Sequence, residues 1–163
     1  VTTSSHEVEI EVEDEAWRDA VAEVDAVVAR AANAALTAAG ADPDREVVIL
    51  LADDDAVREL NARFRDKDRP TNVLSFPAPD APPGFPAGPL GDIVLALGVC
   101  TREAAEQGKT VESHLTHLVV HGVLHLMGRD HMVEAEAEAM EAEERAVLSG
   151  LGIADPYELP HDD

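Results

Sequence analysis

Residues 111–127 read VESHLTHLVVHGVLHLM, and this stretch decides the fold. At about 100° per residue, Leu115, Val119, Val123 and Leu126 cover one side of a helix, while His114 falls close to the stripe set by His121 and His125. A helix that is apolar nearly all round is a buried helix. Its histidines then mark the line where one face meets a cleft. The chain continues so that residues 121–131 read HGVLHLMGRDH. His121 and His125 are four apart, which stacks their side chains about 5–6 Å from one another at Cβ. That spacing suits two imidazoles on one metal ion. Gly128 lets the backbone take a positive φ and leave the helix, so His131 can swing back as a third ligand.

The flanking sequence supplies the layers that bury such a helix. Residues 7–13 (EVEIEVE) alternate acidic and β-branched residues, the period of a half-buried strand with Val8, Ile10 and Val12 inward. Asp14 reads as a helix N-cap, and Trp17, Val21, Val24 and Val28 form one face of a long helix closed by Gly40. Residues 46–52 (EVVILLA) are the apolar run of a strand covered on both faces. Asp53, Asp54 and Asp55 cap and charge the start of a helix running to about Phe64. Residues 72–76 and 90–97 read as two more strands. Seven of the ten prolines fall between Pro70 and Pro89, so residues 77–89 are expected to form a loop without ladder bonding. Helices over 99–107, 111–127 and 133–148 complete the string. The expectation is one α+β domain over residues 1–163, a small mixed sheet packed with about five helices, with the histidine helix at a cleft.

Composition narrows the function classes. Hydrophobic residues make up 45% of 163, enough for one core, but aromatics are only 3%, so that core is built from Val, Leu and Ala. The net charge of −22 argues against a basic nucleic-acid-binding module, and so few aromatics leave no expected stacking platform. No apolar run approaches the roughly 20 residues of a membrane span, and the first residues carry no secretory pattern. The lone Cys100 excludes an internal disulfide and suits a reducing cytosol. Most of the excess acid sits at the two ends, as solvated helix faces do. Five of the twelve bases (Arg58, Arg63, Arg65, Lys67 and Arg69) crowd one short window, where an anionic ligand meets local charge rather than the average. Arg63, Lys67 and Arg69 also read as solvated charges or carboxylate partners, and Thr71, Asn72 and Ser75 as strand caps.

A single histidine on an apolar helix is usually a satisfied core residue. Three with this spacing are not, because clustered buried imidazoles each need a polar partner and repel one another when charged. Three nitrogen ligands with no nearby Cys indicate Zn²⁺, one per chain, with the fourth position left open for catalysis; nickel or another late divalent ion fits the same ligands. The spacing equals that of the zinc-protease signature HExxHxxGxxH, except that Gly122 stands where the general-base Glu would be. Peptide hydrolysis therefore drops to a minor alternative. Asp130, beside the third histidine, reads either as an acceptor orienting an imidazole or as a turn residue. Asp92, alone on an apolar strand, stays unassigned.

The sequence resembles the YbeY family of bacterial single-strand-specific metallo-endoribonucleases. The resemblance rests on HGVLHLMGRDH, on residues 60–77 (LNARFRDKDRPTNVLSFP), on residues 91–93 (GDI) and on Asp155, Pro156 and Tyr157 after the Glu-rich helix. It implies zinc held by His121, His125 and His131, and an arginine at Arg65 that matters for cleavage. It also implies single-stranded rRNA as substrate, with neither DNA nor membrane as partner. Cytoplasmic association with the ribosome or its proteins follows, in small-subunit rRNA 3′-end maturation and ribosome quality control. Three positions depart from the family's habit: Arg129 and Phe64, where Tyr is usual, and Asp66, where Gly is common. Chemically, a zinc ion stabilises phosphate charge and activates an oxygen nucleophile, and the Arg65 fork fits phosphate oxygens. Two other classes stand beside this reading. One is a metal-dependent hydrolase of peptide or small phosphoester bonds. The other is a noncatalytic ribosome-assembly factor with a structural metal, which three ligands without a fourth disfavour.

Overall fold

A computed structural model describes residues 8–41, 45–78, 84, 88–128 and 134–153, with only the backbone of 134–137. Four strands form one mixed sheet: β1 (Val8–Val12), β2 (Val47–Ala52), β3 (Val73–Pro77) and β4 (Gly91–Ala96). Their order is β1-β2-β4-β3; β1, β2 and β4 run parallel, and β3 lies antiparallel on the β4 edge. The helices are α1 (Ala16–Ala20), α2 (Val24–Ala38), α3 (Asp54–Arg65), α4 (Leu97–Glu106), α5 (Val111–Leu126) and α6 (Glu134–Gly150).

The two central strands are apolar on both faces because both faces are covered. Val47, Ile49, Leu51, Ile93 and Leu95 join the main core with α2, α5 and α6. Val94 and Ala96 turn the other way, toward a smaller cluster with Val57 of α3 and Leu74 of β3. On β1, an edge strand, Glu9 and Glu11 remain exposed between half-buried apolar neighbours, as the alternation predicts. Helix α5 is the centre of the main core, with ten of its sixteen residues buried.

The first helix departs from expectation. The face of Trp17, Val21, Val24 and Val28 reads as one continuous helix, yet the chain breaks into α1 and α2. Val21 is extended, and Glu23 takes a left-handed φ of 51° that its own preferences disfavour. The cause is tertiary. Trp17 is fully buried, and its indole N–H donates to the Ala52 carbonyl at the end of β2 (2.9 Å). That bond holds α1 at the end of the sheet, whereas α2 packs along α5, and one straight helix cannot do both. The break raises the helix count from about five to six.

The α3 start is as the acids predict. Asp53 accepts from the Ala56 N–H at 2.8 Å, a regular N-cap. Asp54 does a second job, accepting from Val99 N–H (3.1 Å) in the first turn of α4 and pairing with Arg102 (3.4 Å). A Cβ on Gly98 would overlap that carboxylate. At the far end, α3 stops at Asp66 with φ 58°. A positive φ explains why glycine suits this position; aspartate is among the few other residues that tolerate it.

Candidate metal centre

Four histidines run along one side of α5. The rings of His114, His117, His121 and His125 follow each other at centroid distances of 6.2, 6.3 and 4.6 Å. The last pair is the closest: Nε2 of His121 lies 3.1 Å from Nε2 of His125. Two imidazole lone pairs do not face each other at that range without something between them, either a proton on one ring or a cation shared by both.

Behind His121 stands Glu144 of α6, fully buried. Its Oε1 lies 2.8 Å from His121 Nδ1 and 3.2 Å from His117 Nε2. A buried carboxylate without compensation is costly, and two imidazole N–H donors on one oxygen provide it. With Nδ1 of His121 donating, its Nε2 carries the lone pair, directed at His125. The ligand atoms of His117, His121 and Glu144 lie within 4.8 Å of one another, so the cluster can hold a metal ion. Every donor in it is nitrogen or oxygen. Cys100 contributes no thiolate, since burial pushes its thiol up to about 12.

Neither His117 nor Glu144 is among the residues expected from sequence, although His117 precedes His121 by the same four residues that separate His121 from His125. His117 completes a stripe with His114, His121 and His125, and such continuity was the available signal. Glu144 shares the buried side of α6 with Met140, Val147 and Leu148, so a carboxylate at a core-facing position was the second. His114 belongs elsewhere. Its Nε2 bonds Glu103 Oε1 at 2.8 Å, an oxygen that also accepts from Asn72 (3.0 Å). Burial holds the His114 imidazole below its ordinary pKa, against the opposing pull of Glu103. Asp92 is exposed on β4. His131, Asp130 and Arg129 lie outside the described residues.

Gly122 has a structural reason beyond the missing base. A Cβ there would stand 3.1 and 3.2 Å from Ile93 and 3.3 Å from Ser75 Oγ, so this side of α5 rests directly on the sheet. Any side chain there has to push Ile93 or Ser75 aside by a few tenths of an ångström. The Ser75 hydroxyl donates to the Gly122 carbonyl (3.4 Å), tying β3 to the turn that carries both histidines.

Arg65 reaches the same strand from α3. Its Nη2 donates to the Ser75 carbonyl at 2.6 Å, and its guanidinium lies 5.5 Å from the Phe76 ring centre. The neighbouring bases are engaged differently: Arg58 pairs with Asp68 (2.8 Å) and Arg63 with Glu59 (3.2 Å), both at the surface. Phe64, 59% exposed, packs edge-on against Phe76 (5.5 Å) with the Arg63 guanidinium 6.0 Å away. An exposed aromatic face beside arginines is thus present where composition gave no reason to expect one.

A buried helix that presents histidines, backed by a carboxylate from the next helix, makes this an α+β protein with a metal-capable centre. Comparison with known proteins narrows the class. The model of the family described as "Endoribonuclease YbeY" matches residues 9–152, so the chain belongs to the YbeY family. Curated relatives named "Endoribonuclease YbeY" include one from Azorhizobium caulinodans, 49% identical over 94% of this chain and 98% of its own. Another, from Novosphingobium aromaticivorans, is 54% identical over 88% and 92%. A solution structure of a Thermotoga maritima protein shares the fold, with a TM-score of 0.56 at 24% identity over 93% of this chain and 99% of that one.

Proposed function

We propose that this chain is a zinc-dependent, single-strand-specific endoribonuclease, with His121, His125 and His131 as the metal ligands. The observation that carries the reading is the 3.1 Å approach of the His121 and His125 Nε2 atoms on the open side of α5. Bound there, zinc supplies Lewis acidity toward a phosphate oxygen and a nucleophile near neutral pH. The chain's own groups do the rest. His121 and His125 fix the ion on a rigid helix, and Arg65 offers its remaining N–H groups to the scissile phosphate. Anchoring by the Ser75 carbonyl and the Phe76 ring holds that fork in place before RNA arrives. Phe64 offers its exposed face to an unpaired base, which a duplex cannot present. Gly122, packed on Ile93, argues against the peptidase alternative.

The substrate in this reading is rRNA at the small-subunit 3′ end, met in the cytoplasm. With a net charge of −22, the protein binds free RNA weakly and relies on the ribosome or a ribosomal protein to deliver it. No helix among the described residues is long and apolar enough to cross a membrane. The test is elemental analysis of purified protein, followed by cleavage of end-labelled single- and double-stranded RNA with chelator and zinc add-back. Chelator-sensitive cleavage confined to single strands is expected. Protein carrying a full complement of zinc yet leaving single-stranded RNA intact would sink the reading.

A further inference from the structure

We infer that Glu144 is the positioning residue of the metal centre: it fixes the ring orientation and tautomer of His121, and His117 holds Glu144 in place. The inference rests on the ligand assignment proposed above. On α6 the neighbouring buried positions are Met140, Val147 and Leu148, so an apolar side chain is the default at 144. A carboxylate there needs compensation, and it receives it from two imidazoles of α5, at 2.8 Å from His121 and 3.2 Å from His117. Accepting from Nδ1–H leaves only Nε2 of His121 for a metal. That atom is the one which meets His125 at 3.1 Å. Carboxylates behind metal-bound histidines act this way in general, raising ligand basicity and restricting the ring.

The rival is a direct cage in which His117, His121 and Glu144 themselves surround the ion, as their ligand atoms lie close enough to do. Where the cage uses His121 Nδ1, the atom 2.8 Å from Glu144, the two arrangements exclude each other, since that atom cannot donate to Glu144 and bind a cation at once. Exposure favours the first. The Glu144 side chain is 1% exposed, whereas His121 is 25% exposed and opens toward His125, where a substrate can reach the ion.

The experiment uses the full chain, depleted of metal and titrated with zinc against a chromophoric chelator, for wild type, Glu144→Gln, His117→Gln and His125→Ala. If Glu144 positions His121, Glu144→Gln still binds one zinc at saturation, but with an affinity lower by about 10–100-fold. His117→Gln shows a smaller loss of the same kind, and His125→Ala loses tight binding altogether. Long-range proton–nitrogen NMR of the zinc-loaded wild type needs no variant. It should find His121 protonated on Nδ1 and ligated through Nε2, whether or not Glu144→Gln folds. A folded Glu144→Gln with wild-type zinc affinity overturns the inference while leaving the ligand assignment intact, provided His125→Ala has lost its zinc. Retention of zinc by His125→Ala together with complete loss in Glu144→Gln overturns both in favour of the cage. Ligation of His121 through Nδ1 in the wild-type spectrum does the same.

Discussion

Two of the carboxylate–histidine pairs on α5, those of His114 and His121, stand two turns apart, each with an N–O distance of 2.8 Å. In one, the histidine is the buried partner: His114 is 3% exposed and Glu103 30%. In the other the burial is reversed, with Glu144 at 1% and His121 at 25%. The His114 pair is turned inward. Glu103 gathers His114 and Asn72, joining α4, α5 and the start of β3, and the His114 Nδ1 is buried with no hydrogen-bond partner. The His121 pair is turned outward, because its carboxylate is spent inside the core while the Nε2 of the ring meets His125. Identical bonds therefore serve opposite ends. In the ligand assignment proposed above, the scaffold histidine is the one kept from water and the ligand histidine is the one whose carboxylate is.

The sharpest way to break that contrast is to remove one histidine from each side. His125→Ala should lose tight zinc binding and, with it, RNA cleavage to background, whereas His114→Gln keeps one zinc per chain by elemental analysis. Equal zinc loss in both variants would erase the distinction. Next in size is Gly122→Glu, which restores the protease-like HExxH pattern on the face of α5 that meets the sheet. Its side chain would press on Ile93 and Ser75, so cooperative melting should be lost or the melting temperature lowered steeply. A well-folded variant that cleaves casein in a chelator-sensitive manner would refute the packing argument.

Arg65→Lys tests the outward side without touching a histidine. Lys keeps the charge but loses the fork, so cleavage should fall on the order of tenfold or more, with zinc content and melting unchanged. Loss of zinc or of cooperative melting would move Arg65 into the scaffold. The smallest effect concerns the inward pair. Burial lowers the His114 pKa in the folded state, so the unfolded chain binds the proton first on acidification. Its stabilising contribution is complete above the unfolded value of about 6.5 and is lost as pH falls from there down through the lower, folded value. Denaturant melts of metal-depleted protein between neutral and mildly acidic pH should show a shallower slope for His114→Gln than for wild type.

How much of this was legible depends on whether a residue's role is set locally. The alternation in residues 7–13, the double-sided run of β2 and the Asp53 cap are local properties, and each stands where its pattern puts it. The break between α1 and α2 is not local; it comes from the indole of Trp17 reaching a carbonyl 35 residues away. Strand order is likewise a matter of which surfaces meet. At the site, the pairing of His121 with His125 follows from helical spacing alone. Glu144 does not, since among the many acids of an Ala/Glu-rich helix only packing singles out the one that faces inward. Asp66 lies between these cases: its difference from the family's usual glycine is visible in sequence, and its φ of 58° supplies the reason.

Both rims of the sheet have consequences for how the protein behaves in a crowd. A strand with unpaired backbone groups is a template for another chain, and among the described residues β1 and β3 are the edge strands of the sheet. On β3 the outward Ser75 carbonyl is already occupied by Arg65, and Pro77 brings no N–H to offer. On β1 the guard is charge, from the exposed Glu9 and Glu11. The β3 defence is steric and insensitive to salt; the β1 defence is electrostatic, and salt screens it. Self-association at high ionic strength should therefore begin at the β1 rim, at the opposite edge of the sheet from Arg65.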